Sequence, residues 1–248
     1  MILELDNVEK SFGGLRAVAD VSFAVPHGRI TALIGPNGAG KTTLFSLIAG
    51  FLAPDEGRIR FDGHDITGMA PHRIASLGLV RTFQIVQPFP RLSVRQNIAI
   101  GVHLHVGNRA EALRRAADVA KRVGLADRLD QPAESLTTAG RKRLELARAL
   151  ATEPRLLLLD EVMAGLNPRE IDDIVAVLRA IRGGGVTILL TEHVMRAVMR
   201  LSDHALVLND GALIAEGEPE RIAADPKVIE AYLGSGAARR ISVEAARA

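Results

Sequence analysis

The stretch that decides the fold reads Gly35-Pro36-Asn37-Gly38-Ala39-Gly40-Lys41-Thr42-Thr43. The apolar run at 29–34 before it predicts a buried strand, and residues 44–49 after it predict a helix. A strand, a loop matching G-x-x-x-x-G-K-[ST] and a helix, in that order, are typical of the phosphate-binding loop, or P-loop. A glycine-rich turn that matches by chance is the alternative, and the flanking strand and helix argue against it.

The residue types of the P-loop suit a nucleotide and its metal ion. Glycines let the backbone curl until successive N–H groups point at phosphate oxygens, and the following helix adds its positive N-terminal end. Lys41 is expected to bridge the β- and γ-phosphates, and the Thr42 hydroxyl is expected to bind Mg²⁺. The expected binding residues are Gly35, Pro36, Asn37, Gly38, Ala39, Gly40, Lys41, Thr42 and Thr43.

Composition excludes several classes of protein. The 248 residues suffice for one large α/β domain or two small ones. A net charge of +2 implies no strong field for nucleic acid, and the absence of cysteine excludes disulfides and thiolate metal sites. The N-terminus does not resemble a signal peptide, and no uncharged apolar run approaches the ~20 residues that span a bilayer. We expect a protein that is soluble by itself and reaches a membrane only through partners.

Strand signals lie at both ends of the chain, and helix signals lie between them. Strands are expected at 2–12, 15–18, 21–25, 58–61, 78–84, 156–159, 186–190, 204–208 and 212–215. Helices are expected at 71–77, 93–102, 109–123, 140–151, 168–182, 192–201, 219–224 and 226–233. The pattern predicts an α/β fold with a P-loop core, an N-terminal antiparallel β subdomain and an inserted helical subdomain.

Two acidic residues follow the apolar run at 156–159. In a P-loop protein, carboxylates at the carboxyl end of a buried strand are typical of a magnesium site. Asp160 is expected to hold the metal through water, and Glu161 is expected to polarise the attacking water. An ordinary acidic pair at a strand end is the alternative, and the presence of the P-loop argues against it.

Three further side chains are candidates for the same site. Gln84, at the end of an expected strand, could reach both Mg²⁺ and the attacking water with its neutral amide. His193 could hydrogen-bond a γ-phosphate and orient Glu161. Phe12 could stack on the base, although a core phenylalanine is an equal alternative from its position. The candidate catalytic residues are therefore Glu161, His193 and Gln84, and the candidate metal ligands are Thr42, Gln84 and Asp160.

The order of these motifs resembles the ATP-binding subunits of ABC transporters. The matching residues are Phe12 (A-loop), 35–43 (Walker A), Gln84 (Q-loop), Leu136-Thr137-Thr138-Ala139-Gly140 (signature), Leu159-Asp160-Glu161 (Walker B), Ala164-Gly165-Leu166-Asn167 (D-loop) and His193 (H-loop). The resemblance covers about residues 2–234. It implies one ABC ATPase domain at 1–236, in which 1–84 and 154–236 form the core and β subdomain. The helical subdomain would be 85–153, and the tail at 237–248 is expected to be partly disordered.

The resemblance also implies an activity and partners. Members of the family hydrolyse ATP with Mg²⁺ as head-to-tail dimers, in which each ATP lies between one P-loop and the other subunit's signature. Thr137, Ala139 and Gly140 therefore join the expected ATP-binding residues. The dimer would drive two membrane-embedded permease subunits from the cytoplasmic face of the cell (inner) membrane, without nucleic acid. The permease contact is expected around 86–97, where residues 87–92 mix apolar and basic groups.

A narrower set of motifs looks like the ATPase subunits of branched-chain amino acid importers. It comprises Arg81-Thr82-Phe83-Gln84, Ala164-Gly165-Leu166-Asn167-Pro168, Glu192-His193-Val194-Met195 with Val198-Met199, and Glu230-Ala231-Tyr232-Leu233-Gly234. The likeness implies a second type of ATPase subunit, so a heterodimer is favoured over a homodimer, and a substrate-binding protein outside the cytoplasm acts indirectly. The implied cargo is branched-chain or related amino acids and amides. Export of lipid or lipopolysaccharide is the alternative, and copurifying membrane subunits would separate the two.

The signature departs from the family pattern L-S-G-G-Q. Thr137 replaces the serine and keeps a hydroxyl, Ala139 replaces a glycine, and Gly140 replaces the glutamine. A positive φ at Ala139 would cost roughly 1–2 kcal/mol, so we expect a negative φ there. The altered signature implies that one ATP site of a heterodimer hydrolyses slowly. DNA-repair and ribosomal members are excluded, because 85–135 is short and lacks cysteine and the chain has one P-loop.

Overall fold

The computed structural model describes residues 1–83 and 87–233. Its strands are β1 (Leu3–Phe12), β2 (Leu15–Val25), β3 (Ile30–Ile34), β4 (Glu56–Phe61), β5 (His64–Asp65), β6 (Leu79–Arg81), β7 (Leu156–Asp160), β8 (Thr187–Thr191), β9 (His204–Asn209) and β10 (Ala212–Gly217). Its α-helices are α1 (Lys41–Ile48), α2 (Pro71–Ser76), α3 (Val94–Val102), α4 (Arg109–Arg122), α5 (Thr138–Leu150), α6 (Pro168–Gly183), α7 (Met195–Leu201), α8 (Pro219–Ala224) and α9 (Pro226–Leu233). The tail at 237–248 lies outside the described residues.

A six-stranded sheet in the order β10-β9-β3-β8-β7-β6 carries the P-loop. Its strands are parallel from β9 to β6, and β10 returns antiparallel beside β9. β3, β7 and β8 are apolar and fully buried, as expected for parallel strands covered on both faces. Because parallel strands end at the same edge, the P-loop after β3, Asp160 and Thr191 are brought together there.

A second, antiparallel sheet in the order β2-β1-β4-β5 packs on the P-loop helix α1. This confirms the expected N-terminal β subdomain, with one difference. Residues 15–18 and 21–25 belong to one strand, because Asn7 and Asp20 take positive φ angles of 49° and 55° and form a bulge instead of a break. The Asn7 amide donates to the Asp20 carboxylate across this bulge at 2.6 Å.

The three helices α3, α4 and α5 form the expected helical insertion. α4 turns small residues toward its neighbours, since Ala112, Ala116 and Ala120 are fully buried. Ser93 and Gln96 form a capping box that starts α3. No helix within 1–83 and 87–233 is both long and apolar enough to cross a bilayer.

Several expected boundaries are wrong; for example, α1 begins at Lys41 rather than at residue 44, and β4 begins at Glu56 rather than at residue 58. β6 ends at Arg81 rather than at Gln84, and Gln84 itself lies outside the described residues. α5 begins at Thr138, two residues early, because the Thr137 hydroxyl accepts the Gly140 N–H at 3.2 Å and caps the helix. α7 begins at Met195 rather than at residue 192, because Glu192 lies before the helix and its side chain accepts the Met163 N–H from the loop after β7.

Candidate nucleotide-binding site

The P-loop connects β3 to α1 in a conformation that only glycine adopts readily. Gly35, Gly38 and Gly40 have φ angles of 151°, 82° and 100°. A Cβ on Gly35 would lie 2.0 Å from the Leu208 carbonyl oxygen, and one on Gly40 would lie 2.2 Å from the Ala17 oxygen. Gly35 and Gly40 are therefore required both by backbone angle and by the close approach of neighbouring strands, whereas Gly38 has open space beside it and is favoured by its backbone angle alone.

Lys41 lies at the centre of the loop. Its ammonium donates to the carbonyl oxygens of Gly35 and Pro36, each at 2.8 Å, and the side chain is buried. Burial lowers the pKa of Lys41, while the nearby Glu161 and Asp160 carboxylates act in the opposite direction. The loop thus holds a cation among its own backbone groups, as the binding of phosphate oxygens requires.

A cavity of about 380 Å³ opens over the P-loop. Its lining comprises Phe12, Leu15, Arg16, Ala17, 37–43, Glu161 and Asp210. Phe12 is 47% exposed with the Lys10 ammonium 5.7 Å from its ring centroid, so it is not the core phenylalanine of the alternative interpretation. Sequence reasoning missed Leu15, Arg16 and Asp210, which reach the cavity from the β1–β2 and β9–β10 turns.

Asp160 has a partner on each carboxylate oxygen. The Thr191 hydroxyl donates to Oδ1 at 2.8 Å, and the Arg81 guanidinium donates to Oδ2 at 2.8 Å. Arg81 also donates to the Ser46 hydroxyl at 2.9 Å, and its guanidinium lies 5.5 Å from the centroid of the Phe83 ring. Sequence reasoning did not assign Arg81 a role, and its only signal was a cation at the end of a buried strand.

The oxygen ligands fit Mg²⁺. Thr42 and Asp160 line one cavity of about 560 Å³ beside the P-loop. A hydroxyl and a carboxylate are the hard oxygen donors that Mg²⁺ prefers, and the ion keeps most of its waters when few protein ligands are present. Thr42 and Asp160, the two predicted metal ligands that lie within the described residues, are therefore within reach of a phosphate-bound Mg²⁺.

The Glu161 and His193 side chains meet at the cavity. His193 Nε2 contacts Glu161 Oε1, as expected from the proposed orienting role of the histidine. The Glu161 N–H donates to the Thr191 carbonyl at 3.1 Å, which joins the loop after β7 to the end of β8. Glu161 has a φ of 48°, a left-handed conformation that is uncommon for a side chain of this size.

The signature residues lie elsewhere, at the N-terminus of α5. Thr137, Ala139 and Gly140 are absent from the described lining of the P-loop cavity. Ala139 belongs to the first turn of α5 and is not among the described non-glycine residues with positive φ, which confirms the expected negative angle. Its N–H is one of the helix-start donors that have no partner within the helix.

The C-terminal helix α9 adds a contact that sequence reasoning missed. The Tyr232 hydroxyl lies beside the backbone of Gly35, and partial burial raises the pKa of Tyr232. The sequence marked Tyr232 only as part of a closing motif. The described end of α9 therefore lies next to the start of the P-loop.

The P-loop, the buried Asp160 at a neighbouring strand end and the Glu161–His193 pair define a P-loop nucleoside triphosphatase. Residues 18–164 match the family model of the ABC transporter, and residues 212–238 match that of the branched-chain amino acid ATP-binding cassette transporter. The chain belongs to the ATP-binding subunits of ABC transporters. ATP, Mg²⁺ and ATP hydrolysis, expected from the sequence, are those of this family.

Similar proteins and structures cover nearly the whole chain. The high-affinity branched-chain amino acid transport ATP-binding protein BraF of Pseudomonas aeruginosa is 42% identical, over 94% of this chain and 98% of that protein. Its counterpart LivG of Escherichia coli is 39% identical over the same shares. The crystal structure of the ADP conformation of MJ1267, an ATP-binding cassette of an ABC transporter, has a TM-score of 0.86 at 35% identity, covering 94% of this chain and 99% of that one. Membership of the family implies dimerisation and membrane permease partners.

Proposed function

We propose that this chain is the ATP-hydrolysing subunit of an importer of branched-chain or related amino acids and amides. The observation that carries the proposal is the Glu161–His193 pair at the edge of the P-loop cavity, in a chain whose residues 212–238 match a branched-chain amino acid transporter model. The same match favours import over the alternative of lipid or lipopolysaccharide export. The proposed ATPase domain is 1–236, with 85–153 as its helical subdomain.

Each site residue has a proposed role. Lys41 and the P-loop N–H groups bind the phosphates, Phe12 stacks on adenine, and Thr42, Asp160 and Gln84 hold the metal. Mg²⁺ supplies positive charge that offsets the charge on the phosphates. Glu161 accepts a proton from the attacking water, and His193 keeps the Glu161 carboxylate turned toward that water.

The signature is proposed to serve a second subunit. The start of α5 lies away from the described lining of this chain's own P-loop cavity, which supports the proposal that the Ala139 N–H and the Thr137 hydroxyl meet ATP bound by a partner. The partner is proposed to be an ATPase subunit of the second importer type, with a homodimer as the alternative outcome. The assembly would lie on the cytoplasmic face of the cell membrane and receive cargo from a substrate-binding protein.

The permease is proposed to dock beside the helical subdomain. A groove of about 600 Å³ there exposes apolar side chains, including Phe83, Ile100 and Leu104. Glu145 lies in its floor, accepts the Phe83 N–H at 2.6 Å and has a pKa raised by burial. Phe89, in the segment 86–97 that was expected to meet the permease, is not part of the groove lining but contacts a lining residue: the Arg148 guanidinium lies 5.4 Å from its ring centroid.

Replacement of Phe89 tests the docking surface. Phe89 is about half exposed, so Phe89→Asp should leave ATP binding intact while transport in the assembled importer falls. ATP binding is measured by titration of the purified chain, and transport by uptake into vesicles that contain the complex. Normal uptake by Phe89→Asp would show that the permease does not use this surface.

Replacement of Glu161 tests the chemistry. Glu161→Gln should bind ATP normally and lower the hydrolysis rate about 10²–10⁴-fold, the usual contribution of a general base. Glu220→Gln, an exposed position on α8, is the matched control and should hydrolyse ATP at the normal rate. Near-normal turnover by Glu161→Gln would remove Glu161 as the base. Purification of the intact complex, with a ligand screen on its binding protein, identifies the permeases and the cargo.

A further inference from the structure

Glu192 is a buried carboxylate beside the candidate catalytic pair that the roles above leave unused. It is 1% exposed and lies between Thr191, which bonds to Asp160, and His193. Its Oε1 accepts the Met163 N–H at 2.8 Å, and the His193 N–H lies beside the carboxylate and favours its charged form. Burial raises the pKa of Glu192 to about 7. Within the described residues no lysine or arginine pairs with it, so backbone N–H groups are its main compensation.

The loop that Glu192 holds contains the uncommon backbone of Glu161. A left-handed conformation at such a residue costs roughly 1–2 kcal/mol and persists only where the surroundings fix it. The Glu161 N–H is tied to Thr191 at 3.1 Å, and two residues later the Met163 N–H is tied to Glu192. Two hydrogen bonds to the short segment 191–192 therefore fix the backbone at Glu161 and two residues after it.

We propose that Glu192 is a positioning residue for ATP hydrolysis, which holds the backbone of Met163 and His193 together and so keeps Glu161 against His193. The carboxylate suits this role because its lone pairs can accept two N–H groups at once. Since the loop runs on into residues 164–167, the same bonds fix where the D-loop begins. The inference rests on the proposed role of Glu161 as base.

The geometry predicts a graded series of variants. In Glu192→Gln the side-chain oxygen can still accept the Met163 N–H, but the amide nitrogen cannot accept the His193 N–H. Glu192→Ala removes both acceptors and leaves the buried Met163 N–H without its partner. The loop that carries Glu161 should therefore be displaced partly in the glutamine variant and more in the alanine variant. Glu220→Ala, at an exposed position, is the control.

The test combines hydrolysis with hydrogen exchange on the full chain. In the assembled complex, Glu192→Ala should lower kcat by about 10²-fold, the scale expected for a misplaced catalytic group, with KM for ATP changed less than about twofold. Glu192→Gln should fall between that variant and the unmodified chain. In the full chain with MgATP, amide exchange across 161–167 should rise in the same order, while exchange in the remote helix α4 should stay unchanged.

Each outcome decides the inference. Normal kcat in both variants would overturn it, and so would a lowered kcat with unchanged exchange across 161–167. A general rise in exchange that includes α4 would assign Glu192 a structural role only. If Glu192→Ala does not fold, the glutamine variant carries both measurements. If Glu161→Gln hydrolyses ATP normally while exchange still rises in the Glu192 variants, the proposed base is wrong but the placement of the loop by Glu192 stands.

Discussion

The ion pair between Arg81 and Asp160 predicts a large loss of stability when the arginine is removed. Both side chains are buried, with exposed fractions of 7% and 6%, and their charged atoms are 2.8 Å apart. Arg81→Met keeps an unbranched apolar side chain of similar length while it removes the charge. The Asp160 carboxylate is then left buried, and among the described residues the Thr191 hydroxyl is its one remaining side-chain donor.

The magnitude follows from what is left unpaired. Removing one member of a buried ion pair typically costs about 3–5 kcal/mol, because the remaining charge is no longer compensated. The lost hydrogen bond to Ser46 adds about 1 kcal/mol, and the remaining Thr191 bond offsets a similar amount. We expect the free energy of unfolding to fall by about 3–5 kcal/mol, a large fraction of the total for a typical protein.

Urea denaturation of the full chain without nucleotide measures this loss. Arg114→Met is the control, since Arg114 pairs with Glu111 at 2.7 Å but is 64% exposed, and its replacement should change the free energy of unfolding little. Arg81→Met combined with Asp160→Asn should recover much of the loss, because no buried charge is then unpaired. Adding MgATP should also narrow the gap if Mg²⁺ binds beside Asp160. Equal losses in Arg81→Met and Arg114→Met would refute the reasoning.

Two further predictions concern the P-loop and the buried glutamate. Gly40→Ala should lower the free energy of unfolding by about 1–3 kcal/mol and weaken ATP binding, because Gly40 has a φ of 100° and a Cβ there would meet a backbone carbonyl. The control is Gly183→Ala, which has open space around the new Cβ and should raise stability slightly. Denaturation and ATP titration distinguish the two variants. Burial, with a smaller contribution from the repulsion of Glu161, raises the pKa of Glu192 from 4.5 to about 7, while the Met163 N–H and His193 act in the opposite direction. The stabilisation that Glu192 contributes is therefore fully present below pH 4.5 and is lost as the pH rises through 7. This loss lowers the free energy of unfolding by up to about 3 kcal/mol. The free energy of unfolding, measured by denaturation at pH 5 and pH 8, should differ less between the two pH values in Glu192→Gln than in the unmodified chain. Equal differences would contradict the assignment of this pH dependence to Glu192.

Local signals predicted those parts of the site that lie within one strand, loop and helix. The P-loop glycines and Lys41 depend on neighbours in the sequence, so the motif was sufficient to place them. Asp160 and Glu161 could likewise be found because a fully apolar run, 156–159, ends at them. The meeting of Glu161 with His193 was also expected from the residues, because His193 follows shortly after another apolar run, 186–190.

Contacts that depend on strand order could not be predicted. Arg81 reaches Asp160 because β6 lies beside β7, and Glu192 reaches the Met163 backbone because β8 lies on the other side of β7. Sequence patterns identify buried strands but not which strands are neighbours. The error at the start of α7 has the same cause: helical spacing predicted a helix from residue 192, whereas the tertiary bond from Glu192 holds that residue outside it.

The backbone at Ala139 explains why alanine is tolerated where the family signature has glycine. It lies in the first turn of α5 with ordinary helical geometry, so the glycine of the family pattern is not required by the backbone here. Alanine in a helix is favoured over glycine by about 1 kcal/mol, so the substitution stabilises the start of α5. The N–H of Ala139 is unaffected by the change and still points out of the helix end. In the proposed dimer, the methyl group would lie in front of that N–H, on the side where the nucleotide of a partner subunit would bind. Any slowing of hydrolysis caused by Ala139 should therefore appear at the partner's P-loop and leave ATP binding by this chain's own P-loop unchanged.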